Sequence, residues 1–412
     1  MRISLALPLL ALYSSQFSSA KTSKTCTVKP LGHGKDDTGQ ILKAMAECGH
    51  DGHTVIGPGV FNITGKMTWD LKSSTVDVLG TLNFQPDIQY WLQSENTYRV
   101  IFIQDQSSWF VVTGSDFVID GHSTGILQGN GQPWWEYFQN HTRADGDGRP
   151  VSLTLSNVTR GVISNFKIES PPFWCNAIAD SRDVVYNGIT CNATNGNPGI
   201  DTYRSDNVSL INFDVTCGDD CLAIKGNSTN ILGKNIVCRG GNGIAFGSLG
   251  QYQQFNDIVE NVVLEDIELQ RLDPAIQPNM GSAVYFKTWT ASVHGSPPTG
   301  GGGGGGFVNN VTVKNVSADR VSLPVHVYQT NGGQSGDLPS QLRFSNLTFI
   351  NFTGTALSGK LVDIECSPAV PCPDIVFQNF NVTPPSGSSA SFICDNVISI
   401  TGLPGPCTST GH

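Results

Sequence analysis

Three carboxylates stand out by type and spacing. Asp219 and Asp220 are adjacent within Gly-Asp-Asp-Cys at 218–221, and Asp201 lies about 19 residues earlier in Gly-Ile-Asp at 199–201. Carboxylates held close together titrate apart, one pushed up and kept protonated while another stays ionised. Acid/base hydrolysis needs that division of labour. Adjacent residues of a regular strand point to opposite faces. Both aspartates can serve one site only if the backbone bends there, and Gly218 and Cys221 suit a bend. The bare spacing fits a solvated turn or a pair of calcium ligands equally well.

A repeating coil would bring residues so far apart together. A short motif with apolar residues at both ends, usually with Asn before the last, recurs at 161–166, 184–189, 208–213, 231–236, 262–267, 311–316, 342–347 and 375–380. Steps between successive copies are 23, 24, 23, 31, 49, 31 and 33. The 49 is about twice 24 and predicts one degenerate copy in between. Strand-length motifs at such a period mark a solenoid whose coils bury a core only by stacking. The leucine-rich frame is absent. Recurrent Asn suits a ladder at a turn, where it tolerates left-handed backbone. The reading is all-β: a single right-handed parallel β-helix over residues 21–412. Equivalent positions in neighbouring coils then lie about 4.8 Å apart. Asp37-Thr38 followed by Ile41, Leu42, Met45 and Ala46 predicts a capped amphipathic helix over the open N-terminal end. The run Gly300 to Gly306 reads as a flexible loop.

The chain has 412 residues, of which 14% are charged, and a net charge of −10. That balance argues against general nucleic-acid binding. No apolar run after residue 20 approaches the length that spans a bilayer. Residues 1–20 read as a signal peptide: Arg2, an apolar stretch, then Ser18 and Ala20 before the cleavage point. A secreted, extracellular protein is expected, and its 11 cysteines agree with an oxidising compartment. Local bridges Cys26–Cys48, Cys221–Cys238, Cys366–Cys372 and Cys394–Cys407 are expected, with at least one thiol left over. No zinc-type spacing occurs, and neither a metal nor another cofactor is expected. Glycosylation sequons start at Asn62, Asn140, Asn157, Asn192, Asn207, Asn227, Asn310, Asn315, Asn346, Asn351 and Asn381. Trp134, Trp135 and Trp174 are candidates for the core or for a sugar cleft.

Several motifs together carry a resemblance. Gly-Asp-Asp-Cys, the downstream Gly-Asn-Gly-Ile at 241–244 and Phe-Gly-Ser-Leu-Gly at 246–250, and Tyr-Phe-Lys-Thr-Trp at 285–289 resemble family 28 of the glycoside hydrolases, the polygalacturonases and relatives. Asp-Thr-Tyr-Arg-Ser-Asp-Asn at 201–207 is most similar to fungal exo-acting members. The resemblance covers most of residues 26–407. It implies a monomeric pectin hydrolase acting by inversion, with a pectic polysaccharide or oligogalacturonate as substrate and neither nucleic acid nor membrane as partner. It implies Asp219 as general acid, Asp220 as an activator of water and Lys287 as a cation for the substrate carboxylate. Asn242, Asp201 and Tyr285 complete the expected substrate site.

Three departures qualify this. The family's Asn-Thr-Asp stands here as Gly196-Asn197-Pro198, so a carboxylate is absent. Either it is replaced, or a few residues of that loop were lost from the sequence. The His of Gly-His-Gly is Asn242, an amide that cannot titrate. The Arg of Arg-x-Lys is Tyr285, which cannot grip a carboxylate with a planar fork. A rhamnogalacturonan hydrolase of the same family and a catalytically impaired pectin-binding β-helix are the competing readings. The acidic balance suits a polyanionic substrate only if Lys225, Arg204, Arg239 and Lys287 gather at the cleft.

Overall fold

The computed structural model describes residues 24–101, 103–141, 148–193 and 199–409. The expected signal peptide and the triplet Gly196-Asn197-Pro198 lie outside the described residues. A sheet of 27 strands winds along the chain, and its strand pairs are parallel, each strand bonding its equivalent in the next coil. This is a right-handed parallel β-helix.

Successive long strands run Arg182–Asn192, Asp206–Thr216, Ser228–Arg239, Asn256–Gln270, Gly305–Val321 and Leu342–Ala356. Their registers align Val184, Val208, Ile231, Val262, Val311 and Leu347 in one buried row. Apolar alternation along each strand fills the interior. Two features of the expected repeat differ. Val262 pairs directly with Val311, so the 49-residue step is one coil enlarged by insertions, with no copy between. Leu347, not Leu342, pairs with Val311, so the true copy is 347–352. The cause is that this strand turns two corners five residues apart, both occupied by Asn, Asn346 and Asn351, and either can be mistaken for the marker.

These corner residues adopt left-handed backbone, with φ of 57° at Asn212, 54° at Asn235 and 57° at Asn315. Asn tolerates this conformation better than most residues. The side chains form ladders: Asn235 Nδ2 donates to Asn212 Oδ1 at 3.0 Å, and Asn212 Nδ2 to Asn187 Oδ1 at 2.7 Å. Further along, Asn379 donates to Asn351 and Asn351 to Asn315 at 2.9 Å each. Several sequons fall on these ladders. Asn207, Asn310, Asn315, Asn346 and Asn351 each donate Nδ2 to a neighbouring coil, and all of these but Asn207 are exposed, as are Asn140 and Asn192.

Helix α1 (Thr38–Cys48) covers the N-terminal coils, with Ile41, Ala44 and Met45 buried in the main core. Its first N–H is satisfied by Asp36, at 3.0 Å from Thr38 N, rather than by Asp37. The Asp37 carboxylate instead bonds the backbone of Leu31 and Asn62, tying the helix entry to the first coils. Bridges join Cys26 to Cys48, Cys221 to Cys238, Cys366 to Cys372 and Cys394 to Cys407. A fifth, Cys175–Cys191, had no signal in the spacing, and Cys217 is the free thiol.

The glycine run is not a loose loop. Gly305 and Gly306 open a strand, and Gly302 N bonds Gln251 O at 2.7 Å. A Cβ at Gly302 would stand 2.1 Å from Ser292 O, and one at Gly306 2.0 Å from Asp257 O. Close backbone approach, not flexibility, selects glycine there. Among the described residues no helix is long and apolar enough to cross a membrane.

Candidate active site

One face of the β-helix carries eight short strands: β1 (Asn176–Ala179), β2 (Ile200–Tyr203), β3 (Asp220–Ile224), β4 (Gly243–Leu249), β5 (Ser282–Trp289), β6 (Leu323–Asn331), β7 (Lys360–Glu365) and β8 (Ser391–Asp395). Each pairs in parallel with the next. One outward row reads Ala177, Asp201, Ala223, Ala245, Tyr285, His326 and Asp363. The two alanines leave a flat floor between Asp201 and Tyr285. Trp134, Trp135 and Trp174 are all buried.

Asp219 and Asp220 meet on this floor because the backbone bends before β3 and the β3–β4 register slips between Asp220 and Leu222. That irregularity, of the β-bulge kind, turns both carboxylates to one side. Asp220 N donates to Asp219 Oδ1 at 2.9 Å. Asn242, in the next coil, donates Nδ2 to Asp219 Oδ1 at 2.8 Å and to Asp220 Oδ1 at 3.5 Å. Its flanking Gly241 has φ +78°, and a Cβ there would stand 2.2 Å from Asp219 O. Only glycine lets this coil approach the Asp219 turn so closely.

The Tyr285 hydroxyl donates to Asp220 Oδ1, and Lys287 Nζ lies 3.3 Å from Asp220 Oδ2 and 3.1 Å from the Tyr285 oxygen. Tyr285 thus occupies the place expected for an Arg with a neutral donor turned toward Asp220. Burial first, and then the Asp220 charge, push Asp219 up to about 6. Lys287 and Lys225 oppose that rise. Tyr285 is raised well above a normal phenol by burial and by Asp220, so it remains a donor.

Asp201 is buried in the coil before, with Lys225 Nζ 3.1 Å from Oδ1. Neither carboxylate oxygen has a well-directed hydrogen bond among the described residues. Burial raises Asp201 to about 7 against the pull of Lys225. Lys225 also stands 4.9 Å from the ring centre of Trp174. Ile224, Phe246 and Phe286 are paired in register, so the next residues, Lys225, Gly247 and Lys287, share a row across three coils. Lys225 was legible only as one of four cations. Arg204 pairs with Asp180, and Arg239 with Asp214 of the long strand Asp206–Thr216. Val151, Trp174, Tyr203 and Tyr252 form a buried apolar cluster of their own with Ala177 and Ala179 of β1. Sequence reasoning also missed His326 and Tyr328, whose rings stack 4.6 Å apart beside Tyr285 and Lys287. Among the described residues no set of three or more His, Cys, Asp or Glu is arranged to hold a metal ion.

Acid/base hydrolysis of glycosides uses paired carboxylates of this kind. The family model for glycosyl hydrolases family 28 matches residues 61–403. The chain is 40% identical over 408 residues to a protein of Aspergillus flavus that carries the name galacturan 1,4-alpha-galacturonidase A, covering 90% of this chain and 91% of that one. It is 35% identical over 395 residues to an exopolygalacturonase of Cochliobolus carbonum, covering 91% and 84%. Among solved structures it matches an endo-xylogalacturonan hydrolase from Aspergillus tubingensis at a TM-score of 0.77 and 23% identity, over 93% of this chain and 99% of that one. The chain belongs to glycosyl hydrolases family 28.

Proposed function

We propose that this protein is a secreted, monomeric, exo-acting hydrolase that removes terminal galacturonate from polygalacturonate and oligogalacturonates by single inverting displacement. One observation carries the assignment of roles: Asp219 is buried beside a second carboxylate and pushed up to about 6, so it holds a proton under mildly acidic conditions. Asp219 protonates the glycosidic oxygen as the bond breaks. Asp220 accepts a proton from the attacking water, oriented by Tyr285 and Lys287. Lys287 exchanges part of its contact with Asp220 for the uronate carboxylate, and Asn242 fixes the Asp219 carboxyl in place. Asp201 and Lys225 support the terminal sugar's side of the cleft. The likeness to a galacturan 1,4-alpha-galacturonidase and an exopolygalacturonase supports attack from a chain end. Glycans at exposed sequons such as Asn140 and Asn192 accompany secretion.

The test is product analysis. Polygalacturonate digests should contain monogalacturonate from the first minutes, with the opposite anomer formed first. A ladder of intermediate oligomers, or no release at all, refutes the reading.

A further inference from the structure

The turn that carries Asp219 is held from a loop outside the catalytic groups. Residues 271–281 leave the long strand Asn256–Gln270 and return to β5. Within this loop Asn279 donates Nδ2 to the carbonyl oxygen of Gly218 at 3.1 Å. That carbonyl belongs to the planar peptide unit joining Gly218 to Asp219, so its direction sets how the Asp219 side chain leaves the backbone. Further contacts come from the coil between: Asn242 N donates to Asp219 O at 2.7 Å, and Asn242 Nδ2 to Asp219 Oδ1 at 2.8 Å.

Asn279 is itself held. Arg271 donates Nη1 to Pro278 O at 2.7 Å and Nη2 to Met280 O at 3.0 Å, one carbonyl on each side of Asn279. Its Nε donates to Arg320 O at 2.7 Å and its Nη2 to Ser322 Oγ at 3.2 Å, which ties the loop to the coil beyond. The Asn279 N–H donates to Gln277 Oε1 at 3.0 Å. Gln277 is buried, and a Cβ at Gly240 would stand 2.6 Å from its Cγ, so the loop lies directly on the coil between. A planar guanidinium aimed at backbone carbonyls and a hydroxyl fixes chain geometry, since none of these acceptors is charged.

The turn needs such a hold. Asp219 and Asp220 are adjacent, and like charge drives two neighbouring carboxylates apart and toward water. Gly218, just before them, offers little resistance to that movement.

We propose that Asn279, held by Arg271, is a positioning residue for the acid: it locks the Gly218 carbonyl and thereby keeps the Asp219 carboxyl aimed at the glycosidic oxygen. This rests on the reading of Asp219 as the acid. Neither Asn279 nor Arg271 takes part in proton transfer.

The experiment is steady-state kinetics on trigalacturonate with Asn279→Ala, Arg271→Lys and the double variant, alongside hydrogen exchange read by mass spectrometry. Asn279 is exposed, so Asn279→Ala should leave thermal unfolding nearly unchanged. Its kcat should fall about 10- to 100-fold with KM nearly constant, because the misplaced group acts in the transition state. Arg271→Lys cannot grip two carbonyls in one plane and should lower kcat in the same way. The double variant should lose little more than Asn279→Ala, since the two residues act as one unit. The alkaline limb of kcat should move down, because a freed Asp219 gains water and distance from Asp220 while Lys287 and Lys225 are unaltered. Exchange at the N–H groups of Asn242 and Asp220, both bonded to Asp219, should quicken about tenfold. A native protein without turnover strikes the reading of Asp219, while the exchange rates still decide whether Asn279 holds the turn. A lowered melting temperature with kcat and the limb in place, or turn exchange unchanged in Asn279→Ala, overturns the proposal.

Discussion

Replacing Lys287 by Gln separates two roles of one cation. Lys287 touches Asp220 at 3.3 Å, and its charge opposes the rise in Asp219. A cation favours the ionised form of a neighbouring carboxyl, so its removal lets the Asp219 proton persist to higher pH. A unit charge in the same half-wet cleft contributes about 1 kcal/mol, or about 0.7 pKa unit. In the native protein, kcat/KM should hold below the Asp219 value of about 6 and fall about tenfold per unit above it. In Lys287→Gln the alkaline limb should move upward by about 0.7 unit. Its height should drop by about 10- to 100-fold, since uronate binding is lost as well. The assay is the pH profile of kcat/KM on digalacturonate at constant ionic strength. Loss of substrate binding alone lowers the height and leaves the limb in place. A limb that stays, or moves down, refutes the coupling between Lys287 and the acid.

Three further outcomes are expected. Asp219→Asn should lose about 10²- to 10⁴-fold in kcat with thermal unfolding unchanged, read by kinetics and calorimetry. Asp201 is raised in the folded state to about 7 from an ordinary 3.8. Its contribution to stability is therefore complete below about pH 4 and is lost as pH rises to about 7; denaturant titrations across that range should show the loss in the native chain and not in Asp201→Asn. Asn235→Ala should destabilise by about 2 kcal/mol, through lost ladder bonding and left-handed strain, whereas Asn235→Gly should lose less because the strain is absent. Equal effects would show that the ladder, not the φ of 54°, carries the cost.

How much of this was legible in the sequence follows from what sets each feature. The row Val184, Val208, Ile231, Val262 and Val311 could be read because core burial repeats with every coil. The enlarged coil between Val262 and Val311 could not, because loop length at a corner leaves no trace in strand periodicity. Asp219 and Asp220 announced themselves by adjacency, and the bend that joins them by Gly218. Asn242, Tyr285 and Lys287 were reachable only through motif resemblance, since their approach depends on registers 22 to 67 residues apart. His326, Tyr328 and Asp363 lie in no motif. They become visible only when the rows are laid side by side.

The free thiol has a practical consequence. Cys217 is buried, its Sγ lies 3.2 Å from Asp219 O, and burial pushes its ionisation well above that of a free thiol. In the closed protein it should ignore alkylating reagents, which need an exposed thiolate. It becomes reactive only when the coil bearing the acid detaches from its neighbours. The rate of thiol labelling is therefore a clock for local opening of that turn, readable by mass spectrometry without an engineered probe. Bound substrate should slow the clock by holding the turn shut.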